Sequence, residues 1–247
     1  FKKFGFYQDD LDLFAEVAER LELEPVAPGV WNRHPLAWLV EAADDICYRI
    51  IDVEDAFRLQ QLRYEDVAEL LLPLTGDPDR AKRKLGRLNR SKEKVEYLRA
   101  KAIGAMIDQA HQSFMAHEDL MLTGGFGEEL LDTIPAAGAM QALKDCGEAH
   151  IYVSRPVVEV EAAGFEVLAG LLETFVTTVN DLAAHRSAAS PKSRMLIHLI
   201  PEQFASRCPD ADLYRRVLAI TDFVSGMTDS YAVALFKKIT GISLPTG

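Results

Sequence analysis

The chain has 247 residues and a mass of 27.5 kDa, with 38 acidic against 27 basic side chains, a net charge of −11 and a pI of about 5.0. That length buries a sizeable core, as one large domain or two small ones, and 49% hydrophobic with 26% charged residues fits neither a disordered chain nor a membrane protein. No uninterrupted apolar run approaches the roughly 18–20 residues that cross a bilayer, and a body of charge −11 repels phosphate unless basic groups are gathered somewhere.

Apolar residues recur at three and four along nearly every long stretch, which predicts helix almost throughout and an all-α fold, read as one compact helical domain over residues 1–247. Gln8 to Leu23 is amphipathic and ends before a loop holding Pro25, Pro28 and Gly29. Pro35 sits where a first helical turn tolerates proline, and a helix follows from Leu36 to about Gln60. Tyr64 to Leu72, Pro78 to Leu88 and Ser91 to Leu122 come next, the last closed by the Gly124-Gly125-Phe126-Gly127 turn. Helices are predicted at Ala136 to Asp145, Val157 to Ala184, Lys192 to Ile200 and Asp210 to Ile239. Between the first two, Ala149 to Ser154 reads as extended, on a weak Ile-Tyr-Val strand signal that Pro156 ends. Cys47, Cys146 and Cys208 are far apart and outside any metal or disulfide spacing, so they read as reduced thiols of a cytoplasmic protein. The chain starts at Phe1, with neither an initiator methionine nor the basic-then-apolar pattern of a signal peptide.

The segment from Arg33 to Asp55 carries the most chemistry. Wound at about 100° per residue, it sets Glu41, Asp44, Tyr48, Asp52 and Asp55 in one arc, with Asp45 at its margin. Leu39, Ala43, Ile46, Cys47, Ile50 and Ile51 fill the other side. Like charges one turn apart cost a few tenths of a kcal/mol per pair, about 0.2–0.5 on an isolated helix. A divalent metal, Lys/Arg from another helix, or solvent alone must answer them. Tyr48, midway between Asp44 and Asp52, lines a candidate ligand carboxylate, a ring and a hydrogen-bond acceptor along one face.

Residues 77–101 hold ten Lys/Arg and four acids, a local charge of +6, so the rest of the chain carries −17. Concentrated Lys/Arg supplies non-specific phosphate affinity. The stretch reads either as a solvated face or as a surface for triphosphate, single-stranded DNA or an effector nucleotide. His34 before Pro35 reads as a capping or packing residue rather than a ligand, and Tyr97 as packing. The Gly226-Met227-Thr228-Asp229 stretch reads as structural, with Ser225 and Gly226 inside a helix permitting close helix packing and Asp222, Thr228 and Asp229 bonding or capping neighbours.

Three motifs carry a family resemblance: Arg33-His34-Pro35-Leu36 running into Glu41-Ala42-Ala43-Asp44-Asp45-Ile46-Cys47-Tyr48 and Asp52-Val53-Glu54-Asp55-Ala56; Lys2-Lys3-Phe4-Gly5-Phe6; and Asp222 to Ala232. Tyr97 to Ile103 and Gly125-Phe126 fall between them in order. On these the chain resembles the deoxyguanosinetriphosphate triphosphohydrolases of the HD-domain superfamily. The resemblance implies hydrolysis of dGTP, or several dNTPs, to deoxynucleoside and intact triphosphate by a metal-activated water, with Mg or Mn as cofactor. It makes Asp44 a metal ligand. Tyr48 then lies against the deoxyribose or a phosphate, and Asp52 accepts from the sugar 3′-hydroxyl. It also makes Lys3, Arg99 and Lys101 candidate phosphate contacts and implies a homo-oligomer, a dimer or a dimer-based hexamer.

The superfamily's His…His-Asp…Asp ligand set is missing: no His-Asp dipeptide occurs, and the six histidines are isolated. In the family those ligands precede the Lys-Phe-Gly segment, which here begins at residue 2, so the catalytic residues are expected upstream of Phe1. The chain is then either the C-terminal portion of a larger enzyme or a degenerate homologue without metal chemistry. On either reading one carboxylate holds no catalytic metal, so the fragment alone is expected to be inactive. The rival function is a catalytically inactive helical module binding nucleotide or single-stranded DNA through residues 77–101.

Overall fold

The computed structural model describes residues 5–242, and helix dominates as expected. In order, the elements are α1 (Leu11–Arg20), β1 (Pro25–Ala27), β2 (Val30–Trp31), α2 (Pro35–Arg58), α3 (Tyr64–Leu71), α4 (Pro78–Leu85), α5 (Ser91–Ala116) and α6 (Glu118–Leu122). After these come α7 (Ala137–Cys146), α8 (Arg155–His185), α9 (Pro191–Leu196), α10 (Glu202–Ala205), α11 (Leu213–Ser225) and α12 (Asp229–Ile239). The chain divides after Ser154 into two compact units, each with its own core.

In the first unit α2 and α5 are the central pair. Ile46, Ile50 and Val53 of α2 share a core with Leu98, Ala102 and Met106 of α5, and Val67 and Leu71 of α3 with Met140 and Leu143 of α7 close it. Each such side chain contributes about 1.5–3 kcal/mol on burial. In the second unit Leu171, Phe175 and Val179 of α8 pack with Ala219, Ile220 and Phe223 of α11 and with Ala232 and Leu235 of α12. Gly170 permits the close approach to α12, since a Cβ there would lie 2.4 Å from the Phe236 ring.

Several boundaries differ from the sequence reading, each for a local reason. The loop around Pro28-Gly29 is the turn of the β1–β2 hairpin, with proline fixing one central residue and Gly29 supplying φ +71° at the next. Trp31 of that hairpin packs against Phe14 of α1, which in turn stacks on the Phe6 ring at 4.2 Å. The segment read as extended is no strand: its first half belongs to one turn of π-helix, Gly147–Ile151, with the Tyr152 N–H donating to the Gly147 carbonyl, and residues 152–154 turn into α8. Its β-branched residues find no strand to pair with. The predicted 210–239 helix breaks in two because Gly226 ends α11 and the Thr228 hydroxyl caps α12 by accepting from the Tyr231 N–H. Ser225 and Gly226 therefore form a corner rather than a helix interior. α8 is also longer than the run of apolar residues suggests. By length and composition alone it could cross a bilayer, with a mean hydropathy of 1.4 over 18 residues.

Candidate functional site

The entry to α2 is fastened from several sides. His34 is the N-cap, its Nδ1 accepting from the Leu36 N–H, which leaves the ring proton on Nε2. Arg33 lies 4.3 Å over the Trp38 ring and pairs with Glu41 at 2.9 Å. Trp38 meets Phe126 edge to face at 5.1 Å, so the 124–127 turn packs directly on this helix. Gly124, at φ +70°, has Asn32 where a Cβ would project.

The helix turns its core side through Trp38, Ala42, Ile46, Ile50 and Val53. That corrects the expected apolar face: Ala43, Cys47 and Ile51 are exposed, and with Leu36 and Val40 they form a second apolar stripe. Apolar residues cover so much of this helix that periodicity alone does not say which side meets the core.

The acidic arc lies between the two apolar sides, and most of its charge is answered locally. Glu41 has Arg33, Asp45 has Arg49 one turn on at 2.8 Å, and Asp55 has Arg58 at 3.3 Å. These cations sit beside their acids in the sequence rather than on a neighbouring helix. Asp44 is the exception. It is exposed and has no hydrogen bond or ion pair among the described residues, with Val40 and Tyr48 one turn to either side.

Asp52, two turns from Asp44, is engaged differently. The Tyr152 hydroxyl donates to its Oδ2 at 2.6 Å, and the Tyr48 ring lies 6.2 Å from the Tyr152 ring. Burial pushes the Asp52 carboxyl above its usual range, opposed by the Tyr152 bond and reinforced by repulsion from Asp55. Burial and the Asp52 carboxylate push the Tyr152 phenol well above the ordinary tyrosine value. Tyr152 therefore stays protonated and donates, leaving the other Asp52 oxygen free to accept. Gly147 is what lets the ring reach Asp52, because a Cβ there would stand 2.9 Å from it. Tyr152 is absent from the sequence-derived site because its segment reads as a strand. A signal is present nonetheless, in a glycine five residues before a tyrosine.

The candidate phosphate contacts are not gathered here. Arg99 donates to Glu54 at 2.6 Å, and Arg58 binds the same, almost wholly buried carboxylate. Glu54 follows Asp52 by two residues, so it points to the far side of α2, and Arg99 with it. Lys101, two residues from Arg99, is exposed on the opposite side of α5. Tyr97 packs against the core, as expected of it. Lys3 and Phe1 lie outside the described residues. Among the described residues no group of three or more His, Cys, Asp or Glu side chains is placed to hold a metal ion. Asp44 fits one position in an oxygen-ligand set and does not make a set.

The unpaired Asp44 and the Tyr48–Asp52–Tyr152 cluster thus lie one and two turns apart along α2. Residues 135–238, from the segment before α7 into α12 and including Tyr152, match the phosphohydrolase-associated domain. Over nearly its whole length the chain is similar to deoxyguanosinetriphosphate triphosphohydrolase-like proteins. It is 36% identical to one from Synechocystis sp. over 98% of the chain and 53% of that relative, and 34% identical to one from Pseudomonas aeruginosa strain LESB58 over 99% and 55%. A deoxyguanosinetriphosphate triphosphohydrolase from Yersinia enterocolitica is 29% identical over 96% of the chain and 54% of its own length. The chain thus spans about half the length of the curated relatives it matches.

Proposed function

We propose that this chain is the sugar-recognising part of a hydrolase that splits dGTP, or several dNTPs, into deoxynucleoside and triphosphate. The observation that carries the reading is the Tyr48–Asp52–Tyr152 cluster set one and two turns from an unpaired Asp44. Asp52 accepts from the sugar 3′-hydroxyl through the oxygen Tyr152 does not use. The Tyr48 ring lies along the deoxyribose, and Tyr152, held close by Gly147, forms the wall that refuses a 2′-hydroxyl. Rejecting a group by crowding it against a fixed ring needs the ring immobile, which the 2.6 Å bond to Asp52 supplies.

Asp44 contributes one ligand to a divalent cation, Mg or Mn, which when bound supplies Lewis acidity at the phosphorus. The remaining ligands and the catalytic groups belong to sequence upstream of Phe1. Lys3 and Lys101 are the proposed phosphate contacts. Arg99 can join them only with the N–H groups left over from Glu54. Because the described residues hold no group of three or more such donors, the chain by itself is expected not to turn over dGTP. We further infer a cytoplasmic protein that works as a homo-oligomer, dimer or hexamer, without a membrane partner. The basic 77–101 stretch is a candidate surface for an effector nucleotide or a single DNA strand.

The test is dGTP and GTP turnover by a protein of the relatives' full length that contains this chain. Triphosphate release from dGTP, lost in Asp44→Ala and with GTP readmitted by Tyr152→Ala, supports the reading. A full-length protein that binds no divalent metal and releases no triphosphate sinks it.

A further inference from the structure

Two side-chain hydrogen bonds fasten the Tyr152 segment to α2 and the residues just past its end. One is the bond from Tyr152 to Asp52. In the other, the Gln61 Nε2 donates at 3.1 Å to the Oγ of Ser154, two residues beyond Tyr152. Gln61 is placed by the way α2 stops. The Gln60 N–H donates to the Phe57 carbonyl and the Gln61 N–H to the Ala56 carbonyl, with Gln60 in the left-handed region at φ +61°. That position favours glycine, so a glutamine there carries some backbone strain. On the far side the Ser154 N–H donates to the Ile151 carbonyl, and Ile151 is buried in the core of the first unit.

For stability alone Gln61 is a weak choice. Its Oε1 is buried with no hydrogen-bond partner among the described residues, so the side chain makes one neutral bond and strands one acceptor. An apolar side chain of similar length would strand nothing. What the amide adds is a directed link from the end of α2 to the backbone beside Tyr152. A ring held only at its hydroxyl can swing about that bond, and Gly147, on its flank, has no side chain to stop it. The Tyr152 N–H bond to the Gly147 carbonyl fastens the backbone to the turn after α7, not to α2. The Gln61–Ser154 bond ties it to the helix that carries Tyr48 and Asp52.

We propose that Gln61 is a positioning residue for Tyr152. Through Ser154 it fixes the backbone end of the ring while Asp52 fixes the hydroxyl end, and two fixed ends make the ring a rigid wall. Gln61 then contributes to the refusal of a 2′-hydroxyl without touching the nucleotide, an effect that rests on the reading of Tyr152 as the wall beside the deoxyribose.

The experiment uses a protein of the relatives' full length that contains this chain, and compares Gln61→Met, Ser154→Ala and Ser154→Thr. Two quantities are read: the ratio of kcat/KM for dGTP to that for GTP, and hydrogen exchange of the 147–154 segment without nucleotide. Gln61→Met and Ser154→Ala should each lower the ratio about tenfold, the upper worth of one neutral hydrogen bond, chiefly by a gain with GTP. The double variant should fall no further than either single one, because both remove the same bond. Ser154→Thr keeps the hydroxyl and should keep the ratio. Exchange of residues 147–154 should quicken about tenfold in the two variants that lose the bond, with the urea midpoint of Gln61→Met close to wild type. Unchanged exchange overturns the proposal, as do additive losses in the double variant. An unchanged ratio in Gln61→Met also overturns it where Tyr152→Ala readmits GTP. If Tyr152→Ala readmits no GTP, the wall reading is what fails, and the exchange measurement alone decides whether Gln61 positions Tyr152.

Discussion

The acidic stripe of α2 and the basic stripe of α4 use the same device, like charges repeated at one helical turn, and differ in what answers the charge. On α2 the arc is compensated from nearby in the chain, by Arg33, Arg49 and Arg58, and Asp44 is left over. On α4 no acid among the described residues compensates the row. Charge density therefore does not locate a site by itself; the unpaired remainder does. One open carboxylate can hold a point ligand only jointly with other groups.

The comparison can be attacked first where pairing is structural. Glu54 is almost wholly buried between α2 and α5, so Arg99→Ala strands a charge in the core with only the half-exposed Arg58 to answer it. We expect a loss of about 3 kcal/mol in urea unfolding, at the lower end for a broken buried pair. A loss under about 1 kcal/mol, the worth of an exposed pair, would mean that Arg99 is free for another role, phosphate binding included. Next, Gly147→Ala drives a methyl into the Tyr152 ring and should cost about 2 kcal/mol through overpacking. Tyr152→Phe keeps the packing and removes one hydrogen bond to Asp52, a loss of about 1 kcal/mol. The two variants should weaken dGTP binding together in the full-length protein. If only the glycine variant does so, the ring matters and its hydroxyl does not. Asp44→Asn should go the other way, gaining a few tenths of a kcal/mol, about 0.2–0.5, as repulsion along the arc falls. A clear loss there would reveal a structural partner and remove Asp44 from the site.

How far these features are legible in the sequence depends on whether the signal is local. Most of the helices and the α2 arc follow from spacing, and the structure has them close to where the sequence puts them, with breaks at His117 and Gly226. Tyr152 is hidden because its partner, Asp52, is a hundred residues away and its own segment imitates a strand. Glu54 looks like another member of a polar run until Arg99 arrives from α5. The exposed apolar stripe beside Asp44 reads as core, since a helix apolar on two sides gives periodicity no means of choosing. The break at Gly226-Thr228, by contrast, is readable: a helix-ending glycine followed by a capping threonine is a local signal that outranks continuous amphipathicity.

The smallest expected effect concerns the pH behaviour of the same cleft, and it has an unusual sign. Most carboxylates that gain partners on folding are depressed, and their stabilisation is lost on acidification. Asp52 is raised in the folded state, chiefly by burial. The folded protein therefore holds this proton more tightly than the unfolded chain. The associated stability is fully present below the ordinary carboxylate pKa of 3.8 and is lost as pH rises through the elevated folded value. Asp52→Asn removes that dependence while keeping an acceptor for the Tyr152 hydroxyl. Comparing urea midpoints of wild type and variant at several pH values between about 3 and 7, the variant should gain relative to wild type as pH rises. A relative loss with rising pH would mean that the Tyr152 bond outweighs burial at Asp52. The bond to Tyr152, and not burial, would then decide the charge of this carboxylate.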